Sequence, residues 1–148
     1  VKEILEKSST HDCKIYYPLD VVVSKTLDGN GMIKEVNEVN KDEMILDIGP
    51  KTITSIKDII NKSNTVLWNG PAGYFENPNF SNGTKEILEI IAHKRSKNKI
   101  YAVAGGGETV AVINKFNKLD SFDFVSTAGG AFLEYLEGKE LPGIKALN

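Results

Sequence analysis

An α/β fold with a parallel sheet is predicted by two features of this sequence. Short apolar runs rich in β-branched residues alternate with segments whose apolar residues recur at helical spacing. Turns of glycine and other small residues join each run to the segment that follows it. Because parallel strands need helical crossovers, we expect one parallel sheet with helices covering both of its faces.

The predicted elements follow one another in strict alternation after an opening helix over residues 1–9. Val1 begins that helix without a preceding cap, so we expect the natural chain to extend upstream. Residues 25–42 are predicted to form a polar surface excursion with a small hairpin. Strands are predicted over residues 14–24 (broken at Pro18), 43–48, 65–69, 99–104 and 122–126. Helices are predicted from residue 51, over 81–93 with Ser81 as the N-cap, over 108–116, and up to about residue 136.

Composition limits the classes of function. The 148 residues are 41% hydrophobic and 26% charged, which is typical of one globular domain. The net charge of −2 argues against a nucleic-acid or membrane partner. No apolar run reaches the roughly 20 residues that a membrane helix needs. Cys13 is the only cysteine, so no intrachain disulfide can form, and we expect a reducing, cytoplasmic compartment.

The turns at the carboxyl ends of the strands are the candidate ligand-binding edge, because α/β sheets bind ligands there. Gly105, Gly106 and Gly107 join a strand to a helix, and their N–H groups with the helix N-terminus would suit a phosphate. A tight joint without a ligand is the alternative. Glu108 either suits the helix dipole or binds a metal beside a bound phosphate. Thr127 either donates its hydroxyl to a phosphoryl oxygen or, more simply, caps the next helix.

A second group of candidates lies in the segment Thr65–Glu76, where an apolar run that resembles a buried strand ends in a turn. Glu76 is either an exposed loop carboxylate or an acceptor for two ribose hydroxyls. Asn69 either reaches a phosphate or holds the turn, and Trp68 is predicted to lie in the core. Tyr74 and Phe75 either flank a purine or fill core.

Other polar residues are weaker candidates. His11 and His93 are predicted to lie on the surface, and Cys13 to act as a small hydrophobe. Residues 94–97 form a basic cluster, which we interpret as a complement to the dipole at the end of its own helix.

Taken together, these motifs resemble the phosphoglycerate kinase family. The most specific is Trp68–Glu76 (WNGPAGYFE), and the others, in the family's order, are 47–52 (DIGPKT), 104–109 (AGGGET), 125–131 (VSTAGGA) and 136–143 (LEGKELPG). The family transfers a phosphoryl group reversibly between Mg-ATP and the carboxylate of 3-phosphoglycerate. The resemblance implies a Rossmann-like, three-layer nucleotide-binding C-terminal domain over residues 1–148. That domain would be incomplete and would lack the amino-terminal, substrate-binding domain.

The resemblance also implies roles for individual residues. Glu76 would bind the ribose, Leu46 would lie against the adenine, and Glu108 would bind Mg²⁺ with the nucleotide. The cleft and the phosphate turn would be formed by Asn69, Pro71, Gly73, Tyr74, Gly105, Gly106, Gly107, Glu108 and Thr109. The phosphoryl group in transit would be faced by Thr127, Gly129 and Gly130.

Three residues depart from the family pattern. Glu108 replaces the usual aspartate, Ala128 replaces the first glycine of its motif, and Ile45 stands where small residues are common.

Family members are also more than twice as long and, as full-length chains, monomers. We therefore expect this chain to bind ATP or ADP at most, to meet 3-phosphoglycerate only with the missing domain, and to be inactive alone. An incomplete sheet would also leave an edge open to self-association.

Overall fold

The computed structural model describes residues 1–147, which form an α/β fold. Strands and α-helices alternate from residue 44 to residue 136, but three strands within residues 20–48 follow one another with no α-helix between them, contrary to the predicted strict alternation. The strands are β1 (Asp20–Ser24), β2 (Met32–Glu35), β3 (Met44–Ile48), β4 (Thr65–Trp68), β5 (Tyr101–Gly105) and β6 (Phe124–Ser126). The helices are α1 (Lys2–Thr10), α2 (Pro50–Lys62), α3 (Asn82–Ser96), α4 (Gly107–Lys115), α5 (Gly130–Leu136) and α6 (Pro142–Lys145).

The last three strands form the predicted parallel sheet. β5 lies between β4 and β6, and helices flank the sheet. The core between sheet and helices includes Trp68, which stacks on Phe122 with ring centroids 6.0 Å apart. Leu88 and Ile91 of α3 are completely buried in the same core. Residues 65–68 nevertheless do not form a fully buried strand, because Leu67 is 45% exposed on an edge strand.

This sheet confirms the predicted α/β class, but the first three strands do not join it, so the expectation that all strands form one parallel sheet is wrong. They form a separate antiparallel sheet in the order β2-β1-β3. A hairpin was expected within residues 25–42, but only β2 lies there, and its partner β1 precedes that segment. The strand predicted from residue 14 begins only at Asp20. Pro18 lacks an N–H group, and no described strand pairs with residues 14–19.

One irregularity of this small sheet lies next to the predicted ligand-binding edge. Val22 pairs with Asp47 and Val23 pairs with Ile45, so Leu46 is an extra residue in β3, a β-bulge. The carbonyl group of Leu46 accepts a hydrogen bond of 2.8 Å from the N–H of Tyr74. The bulge thus connects the antiparallel sheet to the turn that follows β4.

Two buried carboxylates fix the helices that follow this sheet and the turn after β4. Asp20 accepts hydrogen bonds from the N–H groups of Lys51 (3.0 Å) and Thr52 (2.8 Å) at the start of α2. Asp47 accepts one of 2.8 Å from the N–H of Gly83 at the start of α3. Acidic groups at these positions complement the partial positive charge of a helix N-terminus.

Ser81 is the N-cap residue of α3, as predicted, although its side chain makes no capping bond and donates to the carbonyl of Pro78. The interpretation of Lys94 is wrong. Lys94 does not serve the end of its own helix. It is buried, and its Nζ donates to the carbonyl groups at the end of α2, those of Ile60, Asn61 and Ser63.

Candidate functional site

Three turns lie side by side at one edge of the parallel sheet. Trp68 pairs with Ala104, and Gly105 pairs with Ser126, so the strands end in register. The residues that follow the three strands are Asn69, Gly106 and Thr127. The structure therefore brings the sequence-predicted turns together at the carboxyl edge of the sheet, where α/β proteins bind ligands.

The turn between β5 and α4 requires glycine at its centre. Gly106 is the N-cap residue of α4 and has φ +98°, a conformation that L side chains rarely adopt. A Cβ atom at this position would also lie 2.7 Å from Oδ1 of Asn69. Asn69 thus packs directly against the glycine turn, which joins the ends of β4 and β5 into one site.

The first N–H groups of α4 receive no side-chain cap from residues 1–147. A Cβ atom at Gly107 would meet no atom within 4 Å, so the start of the helix is open at this point. Thr109 is buried, whereas Glu108 is exposed and makes no ion pair among residues 1–147. This combination of free N–H groups and helix dipole can bind an anion.

The turn between β6 and α5 is similar. Gly129 is the N-cap residue with φ +52°, and neither Gly129 nor Gly130 would bring a Cβ atom within 4 Å of another group. Thr127 is exposed and does not cap α5, so the simpler of its two interpretations is wrong. Ala128 has no positive φ, so its methyl group is accommodated without backbone strain.

The segment from Pro71 to Glu76 is held by contacts from three directions. The buried Thr84 hydroxyl of α3 accepts from the N–H groups of Ala72 (3.0 Å) and Gly73 (3.3 Å). The bulged Leu46 accepts from Tyr74, as described above. Lys115, the last residue of α4, donates from Nζ to the carbonyl of Phe75 over 2.7 Å. None of these contacts has a sequence motif that would have revealed it.

Within this segment the side chains separate into core and surface. Phe75 is 8% exposed and belongs to the core, while Tyr74 is 36% exposed and Glu76 is exposed. Leu46 is 8% exposed, and Ile45 is 56% exposed. Phe75 therefore fills core, whereas Tyr74 and Glu76 remain accessible to a ligand.

The weaker candidates lie elsewhere. His11 and His93 are on the surface, as predicted, but Cys13 is exposed and is not a core residue. A polar cleft of about 710 Å³ lies at the opposite, amino-terminal end of β4 and β5, lined by Arg95, Asn98 and Lys99 among others. None of the predicted site residues lines that cleft.

Metal binding by protein side chains alone has no support within residues 1–147. No three His, Cys, Asp or Glu side chains in this range lie close enough together to hold an ion. A magnesium ion often takes only one or two carboxylates and completes its shell with phosphate oxygens and water. The exposed Glu108, beside free N–H groups suited to phosphate, fits that arrangement.

The fold and the site define an α/β protein in which three glycine-containing turns meet at the carboxyl edge of a parallel sheet. Residues 1–139 match the family model for phosphoglycerate kinase. The chain belongs to the phosphoglycerate kinase family.

Relatives and solved structures agree with this assignment. The chain is 47% identical to the phosphoglycerate kinase of Francisella philomiragia, over 99% of this chain and 37% of the relative. It is 46% identical to that of Zymomonas mobilis, over 99% of this chain and 38% of the relative. The structure of phosphoglycerate kinase from Coxiella burnetii superposes with a TM-score of 0.88 at 40% identity, covering 99% of this chain and 38% of that one. The structure of phosphoglycerate kinase from Pyrococcus horikoshii superposes with a TM-score of 0.79 at 31% identity, covering 99% of this chain and 35% of that one.

The chain thus spans less than two fifths of the length of the relatives that it matches. No helix within residues 1–147 is both long enough and apolar enough to cross a membrane.

Proposed function

We propose that this chain supplies the ADP- and ATP-binding part of a phosphoglycerate kinase. The observation that carries the proposal is the set of glycines at α4 and α5 that face open space. A Cβ atom at Gly107, Gly129 or Gly130 would meet nothing within 4 Å, whereas Gly106 lies against Asn69. Free helix N-termini at the edge of a parallel sheet are a good receptor for a polyphosphate.

In this proposal each predicted residue keeps its role. The N–H groups of residues 105–109 bind the nucleotide phosphates, and Glu108 holds Mg²⁺ together with phosphate oxygens. Glu76 accepts the ribose hydroxyls, and the adenine lies near Leu46 and Tyr74. Pro71 and Gly73 line the cleft, since they flank the residues that Thr84 holds.

The reaction itself is the transfer of the terminal phosphoryl group of ATP to the carboxylate of 3-phosphoglycerate, and its reverse, in glycolysis. Thr127, Gly129 and Gly130 face the group in transit, because their turn lies beside the phosphate turn. The chemistry is mainly positioning and charge stabilisation, for which fixed N–H groups are suited. We further propose that the full-length enzyme is a cytoplasmic monomer, with the acceptor held by a domain that this chain does not contain.

Calorimetric titration of the chain with ADP, with and without magnesium, tests the nucleotide site. We expect saturable, magnesium-dependent binding. Replacing Glu76 by Gln removes a charged acceptor and should weaken binding about tenfold. Glu6→Gln is a matched control, because Glu6 is exposed on α1, away from the site. Absence of binding, or equal affinities for both variants, would contradict the proposal.

Kinase assays of the same chain test the division of labour between domains. With ATP and 3-phosphoglycerate we expect no turnover from these 148 residues, because we propose that the acceptor binds to a part of the full-length enzyme outside them. Measurable turnover by the pure chain would show that an acceptor site exists within these residues.

A second candidate function is assembly through an exposed sheet edge. β4 has a strand partner on one side only among the described residues, and Leu67 on it is 45% exposed. Such an edge can pair with the same strand of a second copy. Sedimentation across a wide concentration range would reveal the dimer, and Leu67→Lys should abolish it. A monomer at every concentration would contradict this second proposal.

A further inference from the structure

We propose that Lys115 is a positioning residue for ribose recognition, because it fixes Glu76 relative to the phosphate turn. The proposal rests on the nucleotide-binding function proposed above. It concerns a side chain that lies at the far end of α4 from the glycine turn and that no motif singles out.

The geometry at Lys115 gives one ammonium group two partners on the same residue. Its Nζ donates to the carbonyl of Phe75 over 2.7 Å and also lies 5.5 Å from the centroid of the Phe75 ring. A charge-assisted hydrogen bond and a cation–π contact therefore act together. Because Glu76 follows directly in the chain, this anchor fixes the backbone from which the Glu76 side chain extends.

The other end of the same helix carries the phosphate turn. α4 runs from Gly107 to Lys115, a distance of about 12 Å along its axis. Val112 and Ile113 are completely buried, so the helix is held firmly against the core. The proposed ribose acceptor and the proposed phosphate turn are thus both held by α4, so this helix fixes their positions relative to each other.

A purely structural role for Lys115 makes a different prediction. A lysine in the last turn of a helix stabilises that helix through its dipole wherever the ligand lies. Losing it would lower stability and would leave the discrimination between ligands unchanged. The test is therefore the selectivity for ribose hydroxyls, measured on folded protein.

The experiment compares the affinities for ADP, 2′-deoxy-ADP and pyrophosphate in four versions of the chain. We expect the wild-type chain to bind ADP about tenfold more tightly than 2′-deoxy-ADP. Lys115→Met keeps the aliphatic stem but loses the donor, and should reduce this ratio at least threefold while pyrophosphate affinity stays within twofold. Lys115→Arg should preserve the ratio. Lys85→Met, on the exposed surface of α3 and without an ion pair within residues 1–147, is the matched control and should change nothing.

Two results would contradict the positioning role of Lys115 in different ways. An unchanged ratio in Lys115→Met would overturn the positioning role while leaving the nucleotide site intact. A wild-type chain that does not distinguish ADP from 2′-deoxy-ADP would instead overturn the ribose role of Glu76, and the inference would fail with it.

Hydrogen exchange of the wild-type chain provides a measurement that needs no variant. The N–H groups of Phe75 and Asn77 bond to the carbonyls of Gly73 and Tyr74, so the anchored segment should exchange as slowly as the middle of α4. Exchange at these residues as fast as at the exposed Lys41, whose N–H makes no hydrogen bond within residues 1–147, would show that the segment is not anchored, and would also overturn the proposal.

Discussion

The helices that follow the antiparallel sheet and those that follow the parallel sheet begin in opposite ways. At α2 and α3 the protein supplies its own anion, Asp20 or Asp47. A Cβ atom at Gly49 or Gly83 would lie within 2.4 Å of these carboxyl groups. At α4 and α5 glycine is again present, but no side chain caps either helix. The same local feature is therefore filled where it serves stability and left free where it can serve a ligand.

The glycines at the starts of these four helices have two different roles. At Gly49 and Gly83 the missing side chain makes room for a carboxylate of the protein. At Gly107, Gly129 and Gly130 the space is free for a group from outside. The buried charges thus stabilise the scaffold, whereas the uncapped helix ends are the proposed phosphate site.

The largest effect is expected when the internal anion at α2 is removed. Asp20→Ala leaves the N–H groups of Lys51 and Thr52 without their acceptor in a buried position. We expect the free energy of unfolding to fall by about 2–4 kcal/mol, measured by urea denaturation. Asp42→Ala is the control, because Asp42 forms only an exposed ion pair with Lys25 and should cost less than about 1 kcal/mol. Equal losses of unfolding free energy in the two variants would contradict the stabilising role of Asp20 at the start of α2.

A smaller loss of stability, but a large loss of binding, is expected at α4. Gly106→Ala places a side chain at φ +98° and pushes against Asn69, which should cost about 1–3 kcal/mol of stability. ADP affinity should fall about tenfold or more, because the N–H groups of the turn move. Gly143→Ala, in α6 with no atom within 4 Å of the added carbon, is the control. Undiminished ADP affinity in folded Gly106→Ala protein would refute the role of this turn.

The smallest of the three effects is a difference in pH dependence between the two buried carboxylates. Burial by itself would raise the pKa of Asp20, but hydrogen bonds from the backbone of Thr52 and Lys51 outweigh it and hold the pKa below the ordinary 3.8. Burial raises the pKa of Asp47 above that value, despite hydrogen bonds from Gly83 and Ile48. The stabilisation by Asp20 is therefore present above pH 3.8 and is lost as the pH falls through its folded pKa. The contribution of Asp47 has the opposite sign: it is full at low pH and is lost as the pH rises through its folded pKa.

Free energies of unfolding measured between about pH 7 and about pH 3 would distinguish the contribution of Asp20 from that of Asp47. The difference in stability between wild type and Asp20→Asn should shrink on acidification. The difference between wild type and Asp47→Asn should grow. Parallel pH profiles for the two variants would mean that the two carboxylates do not differ in the way described.

Local sequence patterns predicted the parallel half of the molecule well. β4, β5 and β6 are short apolar runs, each followed by small residues, so both their positions and the turns after them could be derived. The antiparallel sheet could not, because the residue pattern within β1 or β3 does not show in which direction the partner strand runs. The segment before Asp20 has strand-forming residues but finds no partner strand, and tertiary context overrides its propensity.

The contacts that support the candidate site could not be predicted from the sequence either. The bulge at Leu46 depends on the register between two strands, and a register is not visible in either strand alone. Thr84 and Lys115 are ordinary helix residues by sequence, and they matter only because the fold places them beside residues 72–75. The turns that would touch the ligand were therefore predictable, while the residues that hold them in place were not.

The proposed receptor at the start of α4 consists of main-chain atoms, and this has a consequence for how such a site can change over generations. Amide N–H groups are present whatever the residue type, proline excepted, so no ordinary substitution removes a donor. What a substitution alters is shape, through the bulk that it adds at Gly106 or Gly107. A change of acid such as Glu108→Asp would alter the reach of a neighbouring carboxylate but would leave these donors in place. In such a receptor the affinity can change by degrees, while the kind of ligand that it accepts persists.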